Sequence, residues 1–338
     1  LILQAYHSLF DLRPLLFFDE IQNIEGWEHF ARRLANQKYN IYITGSNAKM
    51  LSREIATTLG GRFWNKDIYP YSFAEYLNAR NIILSKNWMY GKQAAEVSKA
   101  FNDYFLYGGF PELTDVIAKR VWLNDIYSKI FFSDLIVRNK VRNEEALGLL
   151  VRRLAENVKQ PVSYTRLANL ISSIGIKISK ATVIEFIRYL KESCLIFPIE
   201  NYAAKFAERN SNMKHYFIDN GLLSIFLLDG NTSLLENIVV IHLYKRYGAQ
   251  LYFYNQNIEV DFIIPEAKTA IQVSYSLMDE TTCRREVEGL IKLNRVFPMD
   301  NMCIITRDEE RIITHESGVS IHVIPVWKWL LKEEPLRT

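Results

Sequence analysis

The sequence predicts an α/β protein built in three blocks, and three observations predict it. Apolar strand-like runs alternate with amphipathic helices over residues 1–80, residues 92–195 read as almost wholly helical, and short strands enclosing helices return from Leu195 onward. At 338 residues the chain exceeds one ordinary core, and about 150 residues per domain gives two or three domains. The blocks are bounded at 1–80, 81–200 and 201–338.

The opening residues read as a short helix. Leu15-Leu16-Phe17-Phe18 then reads as a buried strand ending at Asp19-Glu20. Trp27, Phe30, Ala31 and Leu34 follow at i, i+3, i+4 and i+7, the period of a helix packed on a sheet. A second strand, Ile41 to Thr44, stops at Gly45-Ser46-Asn47, where turn and capping residues would start another helix. Strand, helix, strand is the pattern of a parallel sheet. In the second block, Tyr107-Gly108-Gly109-Phe110-Pro111-Glu112 and Pro161 are breaks. Ser163 can cap a helix carrying Leu167, Leu170 and Ile171, and Ser179 one carrying Val183, Phe186, Ile187, Leu190 and Cys194, with a turn at Gly175. The third block offers strands near 215–218, 251–254, 259–264, 270–275, 302–306 and 321–326, with helices near 233–247 and 280–296.

Composition excludes more than it indicates. Half the chain is hydrophobic and 23% charged, so it is neither disordered nor fibrous. The net charge of +3 argues for neither nucleic acid nor membrane. Cys194, Cys283 and Cys303 form no CxxC pair, which speaks against a disulfide framework or zinc site and for a reducing, cytoplasmic setting. No apolar run approaches the ~20 residues of a membrane span. The six histidines show no HxH or HxxxH spacing. The first residue is Leu1, which suggests a chain that begins inside a longer protein.

An apolar strand ending in Asp-Glu has a chemical use. Open α/β sheets bind ligands at the carboxyl ends of their strands. An Asp there can hold a magnesium ion beside nucleotide phosphates, and a neighbouring Glu can polarise the attacking water. The plain alternative is that Asp19 and Glu20 cap the turn. A small polar side chain after the second strand, Ser46 or Asn47, would face the same crevice. Arg62, after Gly60-Gly61, could stabilise charge on a transferring phosphoryl group.

In sequence order, Phe17-Phe18-Asp19-Glu20-Ile21-Gln22, the Trp27 helix, Ile43-Thr44-Gly45-Ser46, Gly61-Arg62 and Pro70-Tyr71-Ser72-Phe73-Ala74-Glu75-Tyr76-Leu77 resemble a family of bacterial and archaeal AAA-type ATPases. Tyr107 to Glu112, His215 to Leu222 and Glu259-Val260-Asp261-Phe262 are similar to it as well. The resemblance implies part of a P-loop parallel sheet, a helical lid with a winged helix-turn-helix, and a C-terminal α/β domain related to restriction endonucleases. It implies ATP and Mg²⁺ as cofactors, Asp19 as the magnesium carboxylate, Glu20 as water activator, Ser46 or Asn47 as sensor, and Arg62 as a candidate arginine finger. ATP hydrolysis would then drive a conformational change on DNA or a protein partner, with self-association through the ATPase core left open. One departure bears on chemistry. Phosphate cradling needs GxxxxGK[ST], and no such string occurs in these residues. We therefore expect this chain, taken alone, to bind ATP poorly and to be inactive. The alternative is a DNA- or protein-binding scaffold with a vestigial nucleotide site.

Residues 151–200 hold eight Lys or Arg against four Glu, which favours a phosphate-facing surface carrying Lys177, Lys180 and Arg188. The outward face of the second helix also carries Glu185 and Glu192, a poor match for DNA, so a plain packing module competes. In the third block, restriction-type nucleases need a helix acid, a strand Asp and a Glu-x-Lys on the next strand. The counterparts here are Glu236, Asp261, Gln272 and Ser274. Gln272 is neutral and Ser274 stands for the lysine, so the expected outcome is a degenerate, non-cleaving site. Glu236, with Val239, Val240 and Leu243 on its own helix face, needs a partner.

Overall fold

The computed structural model describes residues 2–21, 24–45, 60, 63–209 and 211–332. It divides into two units, Leu1–Ile68 with Tyr189–Cys194, and Tyr69–Arg188 with Leu195–Thr338.

In the first unit, α1 (Ile2–Leu9) precedes β1 (Leu15–Phe18), α2 (Trp27–Asn36) and β2 (Asn40–Ile43). β1 and β2 are parallel, with Leu15 opposite Asn40 and Phe18 opposite Ile43. The helical period of α2 does what it predicts: Trp27 and Ala31 pack with Ile21, and Phe18 and Ile43 close the cluster from the sheet. One expectation is corrected. β1 is not buried on both faces: Leu15 is 57% and Phe17 70% exposed, and Tyr42 of β2 is 55% exposed. The reason is layering, since the α2 cluster covers one face and the other holds a stack of Phe17 on Tyr42, centroids 4.9 Å apart. The helix expected after Gly45 falls outside the described residues.

The second unit opens with α3 (Phe73–Ala79), whose Ser72 and Glu75 form a capping box: the Ser72 amide donates to Glu75 at 2.7 Å and the Glu75 amide to Ser72 Oγ at 3.3 Å. α4 (Lys92–Tyr107), α5 (Lys119–Lys129) and α6 (Glu144–Glu156) follow, and α5 runs on as a π-helix over Ile130–Val137. After β3 (Val162–Ser163) come α7 (Tyr164–Ser172) and α8 (Lys180–Glu192, whose residues from Tyr189 belong to the first unit). Ser163 accepts the Arg166 amide at 3.2 Å and Ser179 the Thr182 amide at 3.1 Å, so both predicted caps are made.

The rest of the chain is β4 (Ile196–Asn201), α9 (Phe206–Arg209), β5 (Asn212–Phe217), α10 (Asn220–Ser224), α11 (Asn231–Tyr247), β6 (Tyr252–Asn255), β7 (Glu259–Ile264), β8 (Thr269–Val273), α12 (Glu280–Val296), β9 (Asn301–Thr306), β10 (Arg311–Thr314), β11 (Ser320–Pro325) and α13 (Val326–Leu330). Nine strands form one mixed sheet in the order β10-β11-β9-β8-β7-β6-β4-β5-β3. β4 and β6, β8 and β9, and β9 and β11 pair in parallel; the other neighbours are antiparallel. α12 lays Val287, Leu290 and Ile291 in a cluster with Val260, Ile263, Ala270 and Ile304 of the sheet. α11 is apolar on almost every side, with Leu234, Leu235, Ile238, Val239, Val240, Ile241 and Leu243 buried. A helix buried all round has few places for a charge, and Glu236 sits in the middle of this one, 3% exposed. Among the described residues no helix is long and apolar enough to cross a membrane.

Candidate functional site

Two constellations lie where the sequence points. In the first unit, Asp19 and Glu20 follow the last residue of β1, and Thr44 follows the last residue of β2. The parallel register brings both strand ends together: the Thr44 amide donates to Phe18 O at 2.9 Å, and the Thr44 hydroxyl donates to Asp19 Oδ1. The Glu20 amide in turn points at Thr44 Oγ1, 3.4 Å away. Glu20 itself has φ +47°, a left-handed conformation that non-glycine residues adopt at a cost. A carboxylate and a hydroxyl at the carboxyl end of a parallel pair are hard oxygen donors of the kind Mg²⁺ accepts beside phosphates. In the sequence Thr44 reads only as the strand's end; its position opposite Asp19 is the available signal. Ser46, Asn47 and Arg62 lie outside the described residues.

In the second unit, Glu236 of α11 and Asp261 of β7 converge on a residue that the sequence does not single out, Lys214 of β5. Lys214 Nζ lies 3.2 Å from Glu236 Oε1 and 3.4 Å from Asp261 Oδ1, and its side chain is 1% exposed. The Tyr216 hydroxyl donates to the same Glu236 oxygen at 2.7 Å. Strand alternation would find both, because Lys214 and Tyr216 are two apart and share a face. Burial pulls the Lys214 ammonium down, but Glu236, Asp261 and Glu259 together outweigh it and hold it above the ordinary lysine value. Burial pushes Glu236 up to about 7 against the opposing pull of Lys214. Buried neighbours thus decide how this cluster is charged.

The other two predicted residues do not point at the cluster's oxygens as ligands. The Gln272 side chain accepts the Asp261 amide at 2.9 Å and donates to Glu259 O at 3.1 Å, and Ser274 donates to Ser276 O at 3.0 Å. Glu236, Asp261, Gln272 and Ser274 border a cleft of about 990 Å³, which Arg284, Arg285 and Glu286 of α12 also line. Lys177, Lys180 and Arg188 are exposed, and Arg188 lies 3.7 Å from Glu185.

Residues 1–77 match the family described as AAA domain, and residues 98–234 match a domain of unknown function, DUF8612. The first segment is therefore of the AAA class. An uncharacterized protein of Methanocaldococcus jannaschii, MJ1544, is 34% identical over 330 residues, covering 94% of this chain and 74% of its own. An uncharacterized protein of Haemophilus influenzae is 32% identical over 285 residues, covering 81% and 68%. The chain belongs to the family of these two proteins. Among solved structures, the Walker-type ATPase PABY2304 of Pyrococcus abyssi aligns with 63% of each chain at 13% identity and a TM-score of 0.37.

Proposed function

We propose that the proteins of this family are P-loop ATPases. The observation that supports this reading is the Asp19–Thr44 hydrogen bond joining the carboxyl ends of two parallel strands, inside the segment that matches the AAA domain. Asp19 would hold Mg²⁺ against the nucleotide phosphates, and the ion would neutralise charge on the transferring group. Glu20 would orient and deprotonate the attacking water, the work of a general base. The cradling string GxxxxGK[ST] does not occur in the 338 residues, so these residues alone are proposed to bind ATP weakly; a micromolar dissociation constant by calorimetry would overturn that. In the full-length protein, Glu20→Gln should lower turnover by about 10²-fold or more while ATP still binds. Wild-type turnover in this variant would sink the assignment.

A second reading, nucleic-acid binding by the middle of the chain, has its own support. α6, β3, α7, α8 and the β4–β5 pair, with β3 antiparallel to β5, follow the order of a winged helix. On this reading DNA would meet Lys177, Lys180 and Arg188. Replacing all three by Ala should weaken DNA affinity and reduce the salt slope by about 0.9 for each phosphate no longer neutralised. Wild-type affinity that does not change with salt would remove this reading. Likewise α11-β6-β7-β8-α12-β9 follows the order of a restriction-nuclease core, and the neutral Gln272 and Ser274 support its being a non-cleaving one. Such a domain would serve ATP-driven conformational change as a binding or scaffold element.

A further inference from the structure

Two carboxylates converging beside an open cleft are ordinarily a place for a divalent cation. The donor set here does not fit one. Mg²⁺ demands near-octahedral oxygen at about 2.0–2.1 Å, and the space between these two carboxylates is already held by an ammonium. Lys214 Nζ touches Glu236 Oε1 and Asp261 Oδ1 from a side chain that is 1% exposed. Both acids accept further protein donors, which leaves Glu236 Oε2 as the one carboxylate oxygen of the pair not engaged by a donor among the described residues. Glu236 Oε1 takes the Tyr216 hydroxyl at 2.7 Å, and Asp261 Oδ2 takes the Val273 amide at 2.9 Å. Gln272 spends both ends of its amide on the β7 backbone. The neutral oxygen nearest the pair, the Tyr216 hydroxyl, is turned to donate to Glu236. An ammonium sharing the carboxylates with a dication would also be repelled by it at close range in a poorly solvated site.

Among the described residues, Lys214 has no partner of comparable strength besides these acids. Its ammonium lies 5.4 Å from the centre of the Phe253 ring, an attraction far weaker than that of two carboxylates. The strand around it, Met213 to Phe217, is otherwise buried, and an apolar residue would suit such a position if the two acids were not there.

We propose that Lys214 is a tethered cation standing where a divalent ion would otherwise sit, closing the Glu236–Asp261 pair to metal, and that removing the ammonium opens this pair to Mg²⁺ or Mn²⁺. The inference rests on the reading of the C-terminal domain as non-cleaving.

The test is Mn²⁺ titration of the full chain, followed by the electron paramagnetic resonance signal of the free ion, for the wild type, Asp261→Asn, Lys214→Gln and the double variant. Any ion held by Asp19 is common to all four and cancels. The wild type and Asp261→Asn should bind Mn²⁺ identically. Lys214→Gln should gain one site, about tenfold or more tighter than any wild-type binding at this cluster, and the double variant should lose it. A wild-type site that vanishes in Asp261→Asn overturns the proposal, as does a folded Lys214→Gln that gains nothing. If circular dichroism shows Lys214→Gln unfolded, the wild type against Asp261→Asn still decides. Cleavage separates the two readings. Asp261-dependent Mn²⁺ binding by the wild type without DNA cleavage overturns the tethered cation alone, whereas Asp261-dependent cleavage overturns the non-cleaving reading with it.

Discussion

Gly108→Ala should cost the second unit about 3–5 kcal/mol, read as a lowered urea midpoint at unchanged slope. Two independent effects add at this residue. Its φ of +79° with ψ of −162° lies in a region essentially reserved for glycine, worth about 1–3 kcal/mol of strain for any side chain. A Cβ built there would also lie 1.9 Å from Asp219 Oδ1. Asp219 cannot step aside cheaply, because it is 3% exposed and accepts the Gly109 amide at 2.7 Å and the Gly221 amide at 2.8 Å. Displacing it would leave buried amides unpaired, at about 1–3 kcal/mol. The same corner is crowded from the other side: the Tyr71 amide donates to Gly109 O at 2.7 Å, and the Tyr104 hydroxyl to Tyr71 O at 2.8 Å. Gly248→Ala is the control, with φ +50° but open space around the missing Cβ. Its ψ of −122° lies outside the left-handed helical region, in backbone that favours glycine, so the substitution should cost only backbone strain, about 1–3 kcal/mol. Equal losses in the two variants would show that crowding against Asp219 contributes nothing.

That corner illustrates what the sequence carries and what it withholds. The Tyr107–Glu112 run is legible as a break, because glycines and a proline interrupt a helical period. Its partner Asp219, 110 residues on, is not, because pairing between distant segments leaves no local trace. The strands show the same division. Glu259–Ile264 forms with the bounds its alternation predicts, and β6, β8, β9 and β11 lie within a residue or two of expectation. β4 is hidden by Pro198, which the fold tolerates because β4 meets β6 only at Glu200 and Asn201, leaving that side of Pro198 without a strand partner. β10 is four residues long and exposed at three of them, so it has no apolar period to read. In the carboxylate cluster, Glu236 is recognisable as a charge on an apolar face that demands a partner. The partner stays hidden because a strand read as starting near His215 leaves Lys214 in the preceding loop, whereas β5 begins at Asn212. At the nucleotide segment the logic is reversed. Asp19 is legible as chemistry, yet the strand leading to it reads as buried when Phe17 is 70% exposed; apolar composition states what a strand can cover, not what covers it.

Lys214→Met should cost the second unit about 3–5 kcal/mol. The loss is mainly the penalty of leaving Glu236 and Asp261 together without a cation, not the net worth of the ion pair. Two further variants separate these terms. Lys214→Met with Glu236→Leu removes the buried acid as well and should recover most of the loss, since an apolar pair of similar volume is often neutral or better in such a site. Tyr216→Phe removes one hydrogen bond to a charged group and should cost about 1.5–3 kcal/mol. The pH dependence has a definite sign. Burial raises Glu236 from 4.5 to about 7 in the fold, so between those pH values the native chain holds a proton that the unfolded chain has released. Glu236 therefore contributes less to stability as pH rises through that window, by up to about 3 kcal/mol. Glu236→Gln has no such proton to lose. Its stability relative to wild type should climb between pH 4.5 and 7, and a flat difference would show that Glu236 is already ionised throughout. In Lys214→Met the same titration should move to still higher pH, because the ammonium that opposed it is gone. Without the lysine, the cluster can shed its charge only by keeping the proton.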